Sequence, residues 1–136
     1  MSESVILQKI LLGIGALNGF RFWRNNSGLA WGGRPIHLKP GQRYVAEHGD
    51  LLLKNGHPIK LAQPGAADII GIGAPDGRFV AFEVKTDDPR SVQTPEQISF
   101  QAMIEKHGGF YAVVRSKEEA LAILKNLANN TGQNQQ

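Results

Sequence analysis

The chain of 136 residues contains no cysteine. That absence excludes disulfides, thiolate zinc sites and a cysteine nucleophile, and it fits a reducing compartment. No stretch approaches the ~20 consecutive apolar residues that a membrane-spanning helix needs. The start of the chain, Met1 to Ser4, is acidic and then amphipathic rather than basic and then uniformly apolar, so no secretory signal is expected. The histidines at 37, 48, 57 and 107 lack metal-ligand spacing. Ser27, Ser91, Ser99 and Ser116 lack a nucleophile-elbow context. Gly71 to Gly77 is not a dinucleotide loop, because Pro75 and a turn stand where a helix should open.

What is present is a modest apolar share of 41%, enough for one core, and a formal net charge of +3. The length fits one domain. A basic balance is compatible with nucleic acid, where phosphate contacts dominate affinity. Base is concentrated in the N-terminal half, at Arg21, Arg24, Arg34, Lys39, Arg43, Lys54 and Lys60, interleaved with Trp23, Trp31 and Tyr44. Such mixing suits phosphate contact with stacking on exposed bases, and equally a solvated face over core aromatics. Arg24, Asn26, Arg34, Lys60 and Arg90 are the candidate nucleic-acid contacts.

Helical spacing of apolar residues predicts a first helix over 4–18, capped by Ser2 or Ser4 and ended by Gly19. An aromatic-rich strand is expected over 20–25. Segment 26–64 is rich in Gly and Pro and reads as irregular. Within it Asn55-Gly56 is placed to turn a small hairpin spanning 51–61. A buried strand is expected over 68–72, a turn at Ala74 to Gly77, and a second strand over 78–86. Thr94 and Pro95 open a helix to about His107, Phe110 to Val114 is a third core strand, and Ser116 with Glu119 caps a last helix. The expectation is an α/β fold, with a mixed sheet flanked by helices. A single domain is expected over 1–128, and 129–136 is expected to be a polar, disordered tail.

The chemistry lies in an acid at the start of one strand and Glu-Val-Lys in the next. Strand alternation puts Phe79, Ala81, Glu83 and Lys85 on one face and Val80, Phe82 and Val84 on the other. Pairing across the Pro75 to Gly77 turn brings Asp68 beside Glu83. Two adjacent carboxylates repel, so one takes up a proton unless a cation is present. Mg²⁺ answers that need, since it binds oxygen ligands through one or two carboxylates and keeps waters for a substrate phosphate to displace. Lys85 then offsets charge developing on the phosphate. The competing reading is a Glu-x-Lys pair on a solvated strand face. The apolar residues on both faces of the strand count against it, because such a strand is typically buried.

The runs Gly65 to Gly71, Pro75-Asp76-Gly77-Arg78, Phe82-Glu83-Val84-Lys85 and Thr94-Pro95-Glu96-Gln97, with Gly109 to Val114 and Ser116 to Leu124, resemble a VRR-NUC domain of the PD-(D/E)XK nuclease superfamily. The resemblance covers about 65 to 127. Ala67 stands where that family usually has Pro, and the segment 26–64 is longer than a minimal member needs. The resemblance implies a restriction-endonuclease-like core and a Mg²⁺- or Mn²⁺-dependent DNA endonuclease. It implies Asp68 and Glu83 as metal ligands, the Val84 carbonyl as another, Lys85 as the catalytic lysine and Gln97 as a supporting residue of the catalytic site. Glu3 would match an N-terminal acidic metal ligand, although an acid there also suits a helix N-terminus.

The implied substrate is branched DNA such as four-way (Holliday) junctions, cut by a homodimer. The alternatives are a monomeric flap or nicking nuclease, and a non-catalytic DNA-binding module of the same fold. No membrane association is expected. A cytoplasmic location is expected, including that of a phage-encoded enzyme acting in a host cell.

Overall fold

A computed structural model describes residues 1–25, 33–59 and 61–134, with side chains to residue 130. Helix α1 spans Glu3–Ile14. Strands β1 (Phe20–Arg24), β2 (Ile69–Gly73) and β3 (Arg78–Val84) follow, then helix α2 (Pro95–Lys106), strand β4 (Phe110–Val114) and helix α3 (Lys117–Asn134). The four strands form one sheet in the order β1-β2-β3-β4. The pairs β1–β2 and β2–β3 are antiparallel and β3–β4 is parallel. The protein is thus α/β, with a mixed sheet flanked by three helices.

The alternation in β3 decides what each layer contains. Val80, Phe82 and Val84 pack with Ile6, Ile10 and Ile14 of α1 and Leu124 of α3, all buried in one cluster. Ala81 faces the other way, into a smaller cluster with Ala67, Ile104 of α2 and Tyr111 of β4. Glu83 belongs by alternation to this second face, beneath the start of α2.

Ser2 caps α1, its hydroxyl accepting the Val5 N–H at 3.3 Å. The helix ends at Ile14, four residues before the expected end, and the Gly15 N–H closes on the Leu11 carbonyl. Leu17 still packs against the core, which is why its spacing reads as helical. In β2, a Cβ on Gly71 would come within 2.4 Å of the Phe22 ring. The ring fills the space the glycine leaves, and Phe22 continues on to Phe82 at a centroid distance of 5.8 Å.

Two expectations need correction. No strand forms over 51–59; Lys54 and Asn55 make a turn without flanking β structure. Leu51, Leu52, Leu53 and Ile59 are all exposed, so neither face of such a ribbon has a core to cover, and an isolated hairpin is marginal in water. Helix α3 continues to Asn134, through residues expected to form a polar tail.

Candidate active site

The register of β2 on β3 sets the site. Ile69 pairs with Phe82, so one step further Asp68 stands opposite Glu83 just beyond the end of β2. Asp68 is held at both ends of the residue. Its Oδ2 accepts the Val84 N–H at 2.8 Å, and its carbonyl accepts the Asn25 N–H at 2.8 Å. The Asn25 side-chain amide donates to the Ala67 carbonyl at 3.1 Å, tying the end of β1 to the same loop. In an extended strand the N–H and C=O of one residue lie on the same edge. The Val84 carbonyl therefore belongs to the Asp68 side of β3, while the following Lys85 N–H turns to the Val114 carbonyl of β4.

Gly65 fixes the approach of this loop to α2. At φ +80, a Cβ there would lie 2.2 Å from the Glu96 carbonyl oxygen. Only glycine lets the chain run so close against the first turn of the helix. On that turn Gln97 has two tasks. Its Oε1 accepts the Thr94 N–H at 2.9 Å and the Thr94 hydroxyl accepts the Gln97 N–H at 3.2 Å, which is the reciprocal capping box. Its Nε2 donates to Glu83 Oε1 at 2.8 Å.

Glu83 and Lys85 are only 3% and 7% exposed. Lys85 Nζ lies 3.7 Å from Glu83 Oε1. Glu83 Oε2 is buried without a donor. The neighbouring Asp68 carboxyl can bond to it only when one of the two holds a proton, since two ionised carboxylates offer no donor. Burial, then the Asp68 charge and that shared hydrogen bond, push the Glu83 carboxyl up to about 8, and the opposing pull of Lys85 does not offset them. The Glu3 charge adds to the same upward push.

Of the residues expected in the site, Asp68, Glu83, Lys85 and Gln97 come together. Glu3 stands at the rim on α1, where its Oε1 accepts from the Ser91 hydroxyl at 3.2 Å. Among the described residues no group of three or more His, Cys, Asp or Glu side chains is placed to hold a metal ion. The acidic centre is accordingly the pair Asp68 and Glu83. Arg24 is exposed at the end of β1, and Arg34 is exposed in the irregular segment. Arg90 is engaged by Asp88, Nη2 to Oδ2 at 2.8 Å. Asn26 and Lys60 lie outside the described residues.

Sequence reasoning missed a second polar row on this face. Gln93 Nε2 donates to Gln101 Oε1 at 2.9 Å and meets the Tyr111 hydroxyl at 3.3 Å. Burial pushes the Tyr111 hydroxyl up to about 12, with the Glu83 and Asp68 charges adding to the rise. The period-2 placement of Tyr111 opposite Ala81 was a signal for its face, but nothing local marks Gln93 as its partner. A cavity of about 840 Å³ lies among α1, the loop after β3 and the start of α3, and none of Asp68, Glu83 and Lys85 lines it.

No protein-family model matches the chain, and a search of curated proteins finds no match. Among the described residues no helix is long and apolar enough to cross a membrane.

Proposed function

We propose that the chain is a metal-dependent DNA endonuclease with a VRR-NUC-like, restriction-endonuclease-like core, hydrolysing phosphodiester bonds with Mg²⁺ or Mn²⁺. The observation that carries this reading is the pair of facing carboxylates, half-buried Asp68 and buried Glu83, with Glu83 Oε2 lacking any donor and Lys85 on the same face. A divalent cation fits that orphaned oxygen. It needs only one or two carboxylates when waters and a substrate phosphate complete its shell.

Asp68, Glu83 and the Val84 carbonyl would hold the ion, with Glu3 reaching it through water. The chemistry such an ion supplies is polarisation of a phosphoryl oxygen and activation of a coordinated water. Around it the chain's own groups do the positioning. The Val84 N–H orients the Asp68 carboxylate, and the Gln97 amide orients that of Glu83. Lys85 places a positive charge where negative charge develops on the phosphate or on the attacking water.

Branched DNA, four-way junctions above all, is the proposed substrate, cut by a homodimer carrying two related sites. The test is cleavage of labelled four-way junction, flap and linear duplex with Mg²⁺, Mn²⁺ or EDTA. Metal-dependent cutting that favours the junction supports the reading. Equal cutting of all three at matched salt removes the branched substrate. Binding without cutting under every condition removes the enzyme and leaves a DNA-binding module. A solution mass of one chain at working concentration removes the homodimer.

A further inference from the structure

The face of the sheet that carries Glu83 is covered unevenly. Helix α2 packs on β4 and on the Ala81 region of β3. Toward the β1 edge the same face carries Arg21 and Trp23, by alternation from Phe20 and Phe22, which pack into the opposite core. Trp23 is 47% exposed and Ile72, paired with Arg21, is 45% exposed. The cross-strand rows relate this patch to the carboxylates. Trp23 lies level with Ile70 and Ala81, and the next row on this face runs Asn25, Asp68, Glu83. Two strands across and two residues along, at roughly 4.8 Å and 3.4 Å per step, puts Trp23 about 12 Å from Glu83. That is the span of a few nucleotides at roughly 3.4 Å per base step.

Charge favours one occupant. Arg21 shares the tryptophan's face and Arg24 follows it on the other face of the same edge strand; both are exposed, and neither has an ion-pair partner among the described residues. An exposed aromatic with an uncommitted arginine beside it, and a second arginine at the same sheet edge, matches a nucleic acid strand, with phosphates for the guanidinium groups and a base for the indole.

We propose that Trp23, with Arg21 beside it, is a stacking platform for an unpaired base of the DNA substrate, two strands away from the Asp68–Glu83 pair. The proposal rests on the nuclease reading and adds a specificity element to it. The platform favours DNA whose bases are open next to the cut over fully paired duplex. A purely protective role for the arginines, keeping an edge strand from pairing with another chain, predicts no such preference.

The test is binding in EDTA, by anisotropy of a labelled splayed-arm duplex whose unpaired arm carries either bases or abasic sites. The abasic arm keeps the phosphates and removes the stacking faces. Wild type is expected to bind the base-carrying arm about 5- to 150-fold tighter, the range for one stacked base. Trp23→Ala should lose that ratio and bind the abasic arm as wild type does, while Trp23→Phe keeps most of it. If Trp23→Ala does not fold, Trp23→Leu keeps apolar bulk without an aromatic face and carries the same comparison. A wild-type ratio near one, or a ratio that survives in the Ala or Leu variant, overturns the proposal. The nuclease reading is judged separately, by cutting of the same substrates in Mg²⁺. Cutting without a base preference would sink the platform alone, and a Trp23-dependent preference without cutting would sink the nuclease reading alone.

Discussion

Gln97 Nε2 lies 2.8 Å from Glu83 Oε1, while the oxygen of the same amide accepts the Thr94 N–H. The orientation of the amide is thereby fixed, because only its nitrogen can donate and only its oxygen can take the N-cap proton. One side chain caps α2 and holds the buried carboxylate. Gln97→Glu keeps the acceptor for Thr94 but sets a second acceptor against Glu83. It should be less stable than wild type, and the gap should widen as pH rises and the carboxylates ionise. Gln97→Ala should cost about 1 kcal/mol at any pH, the net worth of a lost hydrogen bond. Urea unfolding of the three proteins at pH 5, where Glu83 is protonated in the folded state, and at pH 8.5, above its folded value of about 8, checks both. A Gln97→Glu deficit that does not change with pH would mean that the Glu83 contact is incidental.

Glu83 gives the metal-free protein a pH dependence of defined sign. Its carboxyl is raised from 4.5 to about 8 in the folded state. Between those values the folded chain holds a proton that the unfolded chain has released, so stability falls as pH rises. The contribution is fully present below 4.5 and is lost as pH rises through about 8. Thermal unfolding in EDTA should therefore show a melting temperature that declines over this range, and Glu83→Gln should flatten the decline. If the site holds Mg²⁺ as proposed, the ion should raise the melting temperature at the alkaline end through mass action, because a ligand that binds only the folded state stabilises it. No effect of Mg²⁺ there would count against the metal site.

The legibility of this site in the sequence follows the range of the interactions. Thr94-Pro95-Glu96-Gln97 is a local code, and it forms the expected cap. The alternation of Arg78 to Lys85 is likewise local, and it correctly assigns Phe82 to one core and Glu83 to the other face. The Pro75 to Gly77 turn fixes the register that sets Asp68 beside Glu83. Other features depend on distant partners. The amide nitrogen of Gln97 finds Glu83 only once α2 docks, and Gln93 finds Tyr111 by the same packing. The hairpin expected around Asn55-Gly56 fails for a related reason. The turn signal is present, with Asn55 at φ +54, but the exposed leucines before it meet no core. Helix α1 ends at Ile14, and Leu17 reaches the core beyond it, so its helical spacing overstates the length of the helix.

Gly65 offers a test of how the Asp68 loop is positioned. A methyl group there would overlap the Glu96 carbonyl, and the positive φ disfavours any side chain. Gly65→Ala should destabilise the fold by more than about 1 kcal/mol. It should also lower metal-dependent cutting at temperatures where the variant remains folded, because Asp68 is three residues on in the same loop. Unfolding by urea, with cleavage measured well below the midpoint, separates the two effects. Full cleavage in a folded but destabilised variant would show that Asp68 is held by Val84 and Asn25 alone.

Lys85 separates a structural charge from a reacting one. Its Nζ sits 3.7 Å from Glu83 Oε1 in a nearly closed environment, an arrangement consistent with either role. Lys85→Met keeps the length of the side chain and removes the ammonium. If that charge meets the phosphate as it reacts, kcat should fall by about 100- to 1,000-fold. KM and DNA affinity should move little, since an interaction made only in the transition state lowers kcat and kcat/KM together. Near pH 5 the variant should also unfold close to wild type, because Glu83 is protonated there in the folded state and needs no counter-charge. Single-turnover cleavage of a four-way junction, with binding measured in parallel, reads both quantities. Wild-type kcat in Lys85→Met, or a loss of stability near pH 5 large enough to explain the loss of activity, would assign Lys85 to the fold.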